Sequence, residues 1–403
     1  MPGTRGPAAL DDLPEEITDD ILLRLPPKAV GRCRAVCRSW RDATSTPGFA
    51  LEHRRRQPPL PVINALYAGA GLVLLPASAG AARASDKPLW PFPPGTKPRH
   101  QPILGNTCHG FIIVSKKSQF YICNPATHRR VLLPQPLYGA GFKNTILGLY
   151  RHRSTGEYRV LILNSMDRSA ELSWYFDDSL YVLTVGSDEP RHIAVRTQPM
   201  SPPSMEQNLL NSLGTSPPAH HRGNLHWSPY GAGESTGGHG DIIVFDTEAE
   251  SFWWMHGPAP AKLSDHKKFL DMEGKLAYVL WEGRSPMCFA AMDVWAMQDY
   301  EAETWSFRYP IDVSTVEASR QLCTTPIPCE KNKKTPLDSK VRWFNDMAMV
   351  NDRELLIRFN NKHVLRCDTD GEFLGLVAIG YRQYRMHLTP HRLQESIIPI
   401  PSH

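Results

Sequence analysis

Near the start of the chain, apolar residues recur with the spacing of an amphipathic helix. Ile17, Ile21 and Leu25 stand at i, i+4 and i+8, so they share one face of a predicted helix. The Leu-Pro pair at 13–14 opens this helix, because proline suits the first helical position, where its missing N–H is not needed. The pattern therefore predicts a first helix with one apolar stripe.

A proline pair separates this helix from a second apolar segment. Pro26 cannot continue a helix, whereas Pro27 can begin the next one. Beyond it, two further apolar faces are predicted from Val30, Cys33, Val36, Cys37 and Trp40. This is more apolar surface than about 45 residues can bury alone, because a short segment has a poor ratio of core to surface. The surplus indicates a partner, and the alternative is an amphipathic three-helix core with solvated charged faces.

The order of residues in this segment is more specific than its apolar periodicity. The order LPEE, ILLRLP and CRAVCRSWR resembles an F-box, the helical module that docks on the Skp-type adaptor of cullin-based ubiquitin ligases. Gly31 stands where that family usually carries leucine, and glycine in a helix costs about 1 kcal/mol relative to alanine. The resemblance implies a set of adaptor-facing residues, some of which must also belong to the internal core: Leu13, Pro14, Ile17, Ile21, Leu25, Pro26, Val36, Cys37 and Trp40.

After the helical segment, the chain becomes a series of short strand-like runs separated by turn residues. In several of them an Asp or Asn starts a turn of four to six residues, because these side chains can hydrogen-bond the backbone of their own turn. An aromatic or aliphatic strand follows each of these turns. The hairpins are predicted at 120–134, 147–163, 179–195, 241–255, 292–309 and 363–377. Apolar runs at 109–114, 223–227, 274–281 and 353–359 are predicted to be inner strands.

Repeated hairpins of this kind predict a mainly β fold behind a small α N-terminal domain. Units of roughly 40–60 residues favour a β-propeller of about six to eight blades, because a hairpin cannot bury its faces alone. A pair of β-sandwiches is the alternative architecture. Trp253, Trp254, Trp281, Trp295 and Trp305 fall at strand positions, where packing between blades is the first interpretation and a stacking platform for sugars or bases the second.

The resemblance extends into the β region. NPATHRRVLLP, RGNLHW, VFDTEAESF, DVWAMQDYEAETW and CDTDGEFLG are similar to successive landmarks of the F-box-associated domain of plant F-box proteins, which is related to kelch-type propellers. The expected organisation is a disordered N-terminus at 1–9, an F-box domain at 10–57, a linker and possible first strand at 58–103, an F-box-associated β-propeller-like domain at 104–390 and a C-terminal tail at 391–403.

Composition adds little beyond these patterns. The 45 basic and 41 acidic residues give a net charge of +4, which does not favour nucleic acid as a partner. We expect no signal peptide and no membrane span, since the N-terminus lacks a basic start before an apolar core and no apolar run is long enough. The eight cysteines form no CxxC pair, so reduced thiols in the cytoplasm and/or nucleus are expected.

The sequence offers no motif for covalent chemistry. We find no Walker motif and no GxSxG, and no glycine-rich run has the strand and helix that a dinucleotide site needs. No catalytic residue, cofactor site or metal site is therefore expected.

The resemblance implies a substrate-receptor subunit of a Skp–cullin–F-box ubiquitin ligase that reaches cullin and RING subunits through the adaptor and holds an unknown target protein on the β domain. The alternatives are an F-box scaffold without target turnover and a propeller enzyme or lectin. Target-binding loops are expected at 196–222 and 312–340, the latter with Lys331, Lys333 and Lys334.

Overall fold

The computed structural model of the 403-residue chain consists of a helical module followed by a closed ring of β-sheets. The structure describes residues 14–66, 71–75, 83–84, 89, 103–116, 118–136, 142–166, 178–194, 213, 217–228, 242–258, 267–272, 274–282, 289–322, 340–361, 363–379 and 385–402. The helices are α1 (Glu15–Arg24), α2 (Pro27–Cys33), α3 (Arg38–Ser45), α4 (Pro47–Arg56) and α5 (Val313–Leu322). We refer to α1–α4 as the helical module.

The helices of the module begin where the sequence supplies start signals. Pro27 is the first residue of α2, as predicted, and Pro47 is the first residue of α4. Thr46 caps α4, because its Oγ1 accepts a hydrogen bond from the backbone N–H of Phe49 at 3.2 Å. The Thr-Pro pair at 46–47 is therefore a start signal that the sequence analysis did not use.

The strands form five four-stranded antiparallel sheets and one three-stranded sheet, and each is one blade of a six-bladed β-propeller. Blade I is β2-β1-β25, with β1 Pro59–Leu66, β2 Gly71–Leu74 and β25 Arg385–Gln394. Blade II holds β4 Ile103–Cys108, β5 Phe111–Lys116, β6 Gln119–Asn124 and β7 Arg129–Leu132. Blade III holds β8 Phe142–Arg151, β9 Tyr158–Met166, β10 Ser179–Thr184 and β11 Arg191–Ile193.

The remaining blades repeat this order. Blade IV holds β12 Ala219–His221, β13 Asn224–Trp227, β14 Ile242–Asp246 and β15 Ser251–Met255. Blade V holds β16 Lys267–Met272, β17 Lys275–Glu282, β18 Ala291–Asp299 and β19 Thr304–Asp312. Blade VI holds β20 Phe344–Met349, β21 Glu354–Phe359, β22 His363–Asp368 and β23 Phe373–Leu376. A short parallel pair joins β3 Arg83–Ala84 to β24 Ala378–Ile379.

The ring closes by pairing the two ends of the propeller. β1 runs antiparallel to β25, from Pro59 opposite Gln394 to Leu66 opposite Arg385. The first strands of the blades contact one another around the central axis, and β25 takes this innermost place in blade I. The predicted propeller of about six to eight blades is therefore confirmed, with six. The closing strand β1 falls in the segment 58–103, and β25 continues into the segment 391–403 that was expected to be a tail.

The second strand of each blade, rather than the innermost one, carries the strongest apolar pattern. β5, β13, β17 and β21 contain the runs that the sequence analysis assigned to inner strands, and each is preceded by another strand nearer the axis. Neighbouring blades cover the second strands on both faces, so the sequences of these strands are continuous apolar runs. Most innermost strands border the channel and are more polar, so the sequence did not predict them; the exception is β8, whose second half belongs to the predicted hairpin at 147–163.

The hairpins predicted from Asp and Asn turn starters are confirmed. Asp246 Oδ1 accepts hydrogen bonds from the N–H groups of Glu248 at 2.7 Å and Ala249 at 3.0 Å. Asn124, Asp299 and Asp368 bond their own turns in the same way. Each of these turns joins the last two strands of a blade. The hairpins at 147–163 and 179–195 belong to the single blade III, so six predicted hairpins occupy five blades.

The helical module packs directly on the propeller. Only two residues separate the end of α4 at Arg56 from the start of β1 at Pro59. One buried cluster combines Leu22 and Phe49 of the module with Phe111 of β5 and with Ile397, which follows β25. The residues after Gln394 therefore contribute to the core, because they cover apolar surface between the two parts of the molecule.

Candidate functional site

The outer face of α1 presents two large apolar residues to solvent. Ile17 is 50% exposed and Ile21, one helical turn later, is 43% exposed, whereas the neighbouring Leu22 is 1% exposed and lies in the shared core. The predicted stripe of Ile17, Ile21 and Leu25 is thus divided. α1 ends at Arg24, and Leu25 has an extended backbone that carries its half-buried side chain against the core. Ile17 and Ile21 remain as an apolar surface without cover.

A third exposed apolar side chain lies in the turn between α2 and α3. Val36 is 68% exposed. Trp40, in the first turn of α3, is half-buried and packs against the shared core. The resemblance to the F-box implied one set of adaptor-facing residues, and the structure places them in two groups. Ile17, Ile21 and Val36 are exposed, whereas Leu25 and Trp40 serve mainly as internal packing.

Pro14, Pro26 and Cys37 immediately precede the helices α1, α2 and α3. The Pro14 carbonyl accepts from the N–H of Ile17 at 3.0 Å, and the Pro26 carbonyl accepts from the N–H of Ala29 at 2.8 Å. Both prolines are exposed, and Cys37 is half-buried. These residues fix where each helix begins, and so the direction in which the exposed apolar residues point. Leu13 lies outside the described residues.

An ion-pair network holds α1 against α4. Asp20 Oδ1 accepts from Arg56 of α4 at 2.7 Å, and Asp20 Oδ2 pairs with Arg24 at 2.6 Å. The hydrogen bond from Arg56 is the main reason that the pKa of Asp20 is lowered from its ordinary value. Together with the buried Leu22, which lies in the shared core, these ion pairs join α1 to α4.

The basic run at 53–56, in the last turn of α4, makes contacts within the chain. His53 is fully buried, with Nε2 at 2.8 Å from the Leu25 carbonyl, and burial lowers its pKa. Arg54 Nη1 donates to Gln394 Oε1 of β25 at 2.7 Å. The run therefore joins α4 to α1 and to the propeller.

Both loops that the sequence analysis expected to hold a target contain regular structure. Residues 219–221 form β12, the innermost strand of blade IV, and residues 313–322 form α5. α5 is tied down by Glu317, which accepts from Arg320 at 2.7 Å and from the backbone N–H of Val341 at 2.9 Å. Lys331, Lys333 and Lys334 lie outside the described residues.

The tryptophans of the strands pack in the interior of the propeller. Trp281 belongs to a core cluster and Trp253, Trp254, Trp295 and Trp305 pack against such clusters, so the interpretation as core packing is confirmed. Within the described ranges, no group of three or more His, Cys, Asp or Glu side chains is arranged to hold a metal ion. No helix of the described part is long and apolar enough to cross a membrane.

Comparison with known families gives two matches along this chain. Residues 10–52 match the family described as F-box-like, and residues 95–325 match the family described as F-box associated beta propeller domain. The first match coincides with the helical module, and the second covers more than half of the chain.

Individual relatives agree with the family matches. The chain is 23% identical over 391 residues to the F-box protein At3g07870 of Arabidopsis thaliana, covering 92% of this chain and 88% of that protein. It is 23% identical over 381 residues to the F-box/LRR-repeat protein At2g43260 of the same plant, covering 89% of this chain and 77% of that protein. A shorter stretch of 42 residues is 50% identical to the F-box/kelch-repeat protein At3g23880, covering 10% of this chain and 12% of that protein.

Proposed function

This chain belongs to the plant F-box proteins that carry an F-box-associated β-propeller domain, and on that premise we propose that it is a substrate-receptor subunit of a Skp–cullin–F-box ubiquitin ligase. The helical module binds the Skp-type adaptor, and through it the cullin and RING subunits. The propeller holds a target protein. The observation that carries the proposal is the apolar surface of Ile17, Ile21 and Val36, which the chain leaves exposed although it buries their neighbour Leu22.

The proposed contribution to ubiquitin transfer is positional rather than chemical. A receptor that holds a target near the ubiquitin-carrying enzyme raises the effective concentration of target lysines. The direct passage from α4 to β1 and the core shared by the helical module and the propeller support this role, because they hold the two binding surfaces at a fixed distance.

Copurification from plant cells tests the proposal. We expect the tagged full chain to recover a Skp-type adaptor together with a cullin, and to accumulate a bound target when the proteasome is inhibited. Recovery of the adaptor without cullin would favour the scaffold alternative. Recovery of neither subunit would contradict the proposal and favour a propeller enzyme or lectin.

The matched control is a pair of exposed apolar residues on the propeller. Ile17→Ala with Ile21→Ala should abolish recovery of the adaptor and cullin, whereas Val131→Ala with Leu132→Ala on β7 should leave it unchanged. Both pairs consist of exposed aliphatic side chains, so the comparison separates a specific surface from a general loss of apolar area.

A further inference from the structure

A cavity of about 470 Å³ lies at the axis of the propeller, beside the helical module. Its walls come from the innermost strands β4, β8, β12, β16 and β25 of five blades, and α4 contributes Arg54. Small-molecule sites in proteins typically have volumes of roughly 300–1,000 Å³. The cavity is thus large enough for one small ligand and is built from segments far apart in the chain.

The charge of this cavity differs sharply from that of the whole chain, whose basic and acidic residues nearly balance. Among the described residues that line it, five are arginine, four are histidine and none is aspartate or glutamate. The arginines are Arg54, Arg151, Arg153, Arg222 and Arg392, and the histidines are His109, His220, His221 and His391. Positive charge concentrated in a concave site attracts anions.

The guanidinium groups of four of the arginines have no carboxylate partner within the described part of the chain, although the backbone N–H of Arg153 donates to Glu248 Oε2 at 3.1 Å. Arg54 donates to the Gln394 side-chain amide at 2.7 Å, and Arg392 donates to the carbonyls of Pro59 at 3.0 Å and Val350 at 2.9 Å. Arg153 donates to the Arg222 carbonyl. The acceptors of these guanidinium groups are neutral, and Arg151 has no ion pair with a described residue. The fifth arginine, Arg222, lies 3.3 Å from Glu301.

Some of the guanidinium donors are also left without any acceptor. The buried Nε of Arg54 and the buried Nε and Nη1 of Arg392 form no hydrogen bond within the described protein. Unpaired buried donors and unpaired buried charges are both costly, so an anion that accepts from them would be stabilised in this cavity. The pKa of His109 is lowered to about 3, first by burial and then by the charges of Arg54 and Arg151, which is consistent with a strongly positive cavity.

The backbone rigidly holds two of the positions that line the cavity. His109-Gly110 and Arg222-Gly223 are two-residue turns between the first and second strands of blades II and IV, with positive φ at all four residues. Such turns favour glycine at their second position. Equivalent turns of two blades thus present a histidine and an arginine to the same cavity.

We propose that this cavity is a binding site for a small polyanion that carries phosphate groups. Guanidinium groups match phosphate oxygens in geometry and bind them through paired N–H donors, which a cluster of arginines around a small volume can supply from several sides. Arg54 of the helical module and Arg151 of blade III would contact the same ligand. The ligand would then join the module to the propeller, a role that goes beyond adaptor and target binding and depends on neither.

The full chain titrated with inorganic tripolyphosphate tests this assignment. We expect binding by calorimetry and a rise in melting temperature, because a ligand that binds only the folded state stabilises it. Pyrophosphate and orthophosphate should bind progressively more weakly, and affinity should fall with added sodium chloride. Absence of tripolyphosphate binding at millimolar concentration would overturn the proposal.

Two variants of equal charge locate the site. Arg54→Gln with Arg151→Gln should weaken tripolyphosphate binding at least tenfold, whereas Arg55→Gln with Arg129→Gln, whose side chains are exposed and do not line the cavity, should change it less than twofold. If both pairs weaken tripolyphosphate binding equally, the affinity depends only on the net charge of the protein, and the assignment of the site to this cavity is wrong. If the first pair melts early, the single Arg151→Gln variant makes the same comparison against Arg129→Gln.

A third arm separates a small ligand from a phosphorylated protein segment. A peptide with two phosphoserines should compete with tripolyphosphate only weakly. Stronger binding of that peptide than of tripolyphosphate, lost in the Arg54→Gln and Arg151→Gln variant, would assign the cavity to a phosphorylated segment and overturn the small-molecule proposal.

Discussion

At the scale of single residues, the hairpin turns depend on which atoms an Asp or Asn side chain offers. Asp246 needs only acceptors, because its contacts are backbone N–H groups of its own turn. Asn124 also needs donors, since its Nδ2 bonds the carbonyls of Ser396 at 3.0 Å and Ile398 at 2.8 Å. The two residues look interchangeable in sequence but have different requirements.

Exchanging the two side-chain types should therefore give unequal results. Asn124→Asp places a carboxylate against two buried carbonyls and should lower the free energy of unfolding by about 1–3 kcal/mol or more. Asp246→Asn keeps the accepting oxygen at an exposed turn and should cost less than about 1 kcal/mol. Urea unfolding of both variants measures the difference. Equal losses would mean that the contacts of Asn124 with the C-terminal segment do not stabilise the fold.

At the scale of elements, apolar periodicity predicted the secondary structure well where an element is covered on both sides. The second strands and the hairpins that begin with Asp or Asn could be predicted from the sequence for this reason. Most innermost strands, such as Ala219–His221, could not, because strands along a polar channel lack an apolar pattern. The helix α5 was also missed, since the surrounding segment is rich in polar residues and prolines.

The candidate site was predictable only in part. The resemblance of the sequence to an F-box predicted Ile17, Ile21 and Val36 as adaptor-facing residues, and all three side chains are exposed in the structure. The same resemblance gave this role to Leu25, and the predicted apolar stripe placed Leu25 on the face of Ile17 and Ile21. α1 ends one residue earlier, so Leu25 leaves that face. The arginines of the cavity could not be found from sequence, since they are brought together by ring closure and not by spacing.

Two glycines of different elements should respond to alanine in opposite ways. Gly31 lies in α2 with no atom within 4 Å of an added Cβ, so Gly31→Ala should raise the free energy of unfolding by up to about 1 kcal/mol. Gly110 has a φ of +87°, and an added Cβ would lie 2.2 Å from the Ser396 Cβ. Gly110→Ala should therefore destabilise the protein. Chemical unfolding measures the change in the free energy of unfolding for both variants. A loss of stability in Gly31→Ala would contradict this account of α2.

At the scale of the whole molecule, four histidines are held in the neutral form, and two of them, His226 and His391, are buried. Burial is the first cause that lowers the pKa of His109, His226 and His391 to about 3, and it lowers the pKa of His220 to about 4. An unfolded histidine titrates near 6.5. Below that pH the unfolded chain takes up protons that the folded chain excludes.

The folded protein should accordingly lose stability as the pH falls from about 6.5 toward 4. The stabilisation is complete above the unfolded pKa, and the buried His226 and His391 each contribute a slope of up to about 1.4 kcal/mol per pH unit in this window. Urea midpoints at pH 7.5, 6.5 and 5.5, in buffers without phosphate, check this expectation. A midpoint that stays constant or rises toward pH 5.5 would show that these histidines do not control the acid limit.

The helical module and the propeller are joined by a common core. The surface of each therefore keeps a fixed position relative to the other. We propose that the exposed apolar residues of the module bind the adaptor. Because these side chains are exposed, removing them should not change the melting temperature, while each buried side chain lost from an interface costs about 1 kcal/mol or more. Stability and docking can therefore be separated in the same variants.

The most direct test is the dissociation constant of the purified full chain for a Skp-type adaptor, measured by interferometry. For Ile17→Ala, Ile21→Ala and Val36→Ala combined, we predict a rise of about thirtyfold or more at an unchanged melting temperature. For Val131→Ala with Leu132→Ala, we predict no change. An F-box variant that melts normally and still binds the adaptor with wild-type affinity would contradict the account.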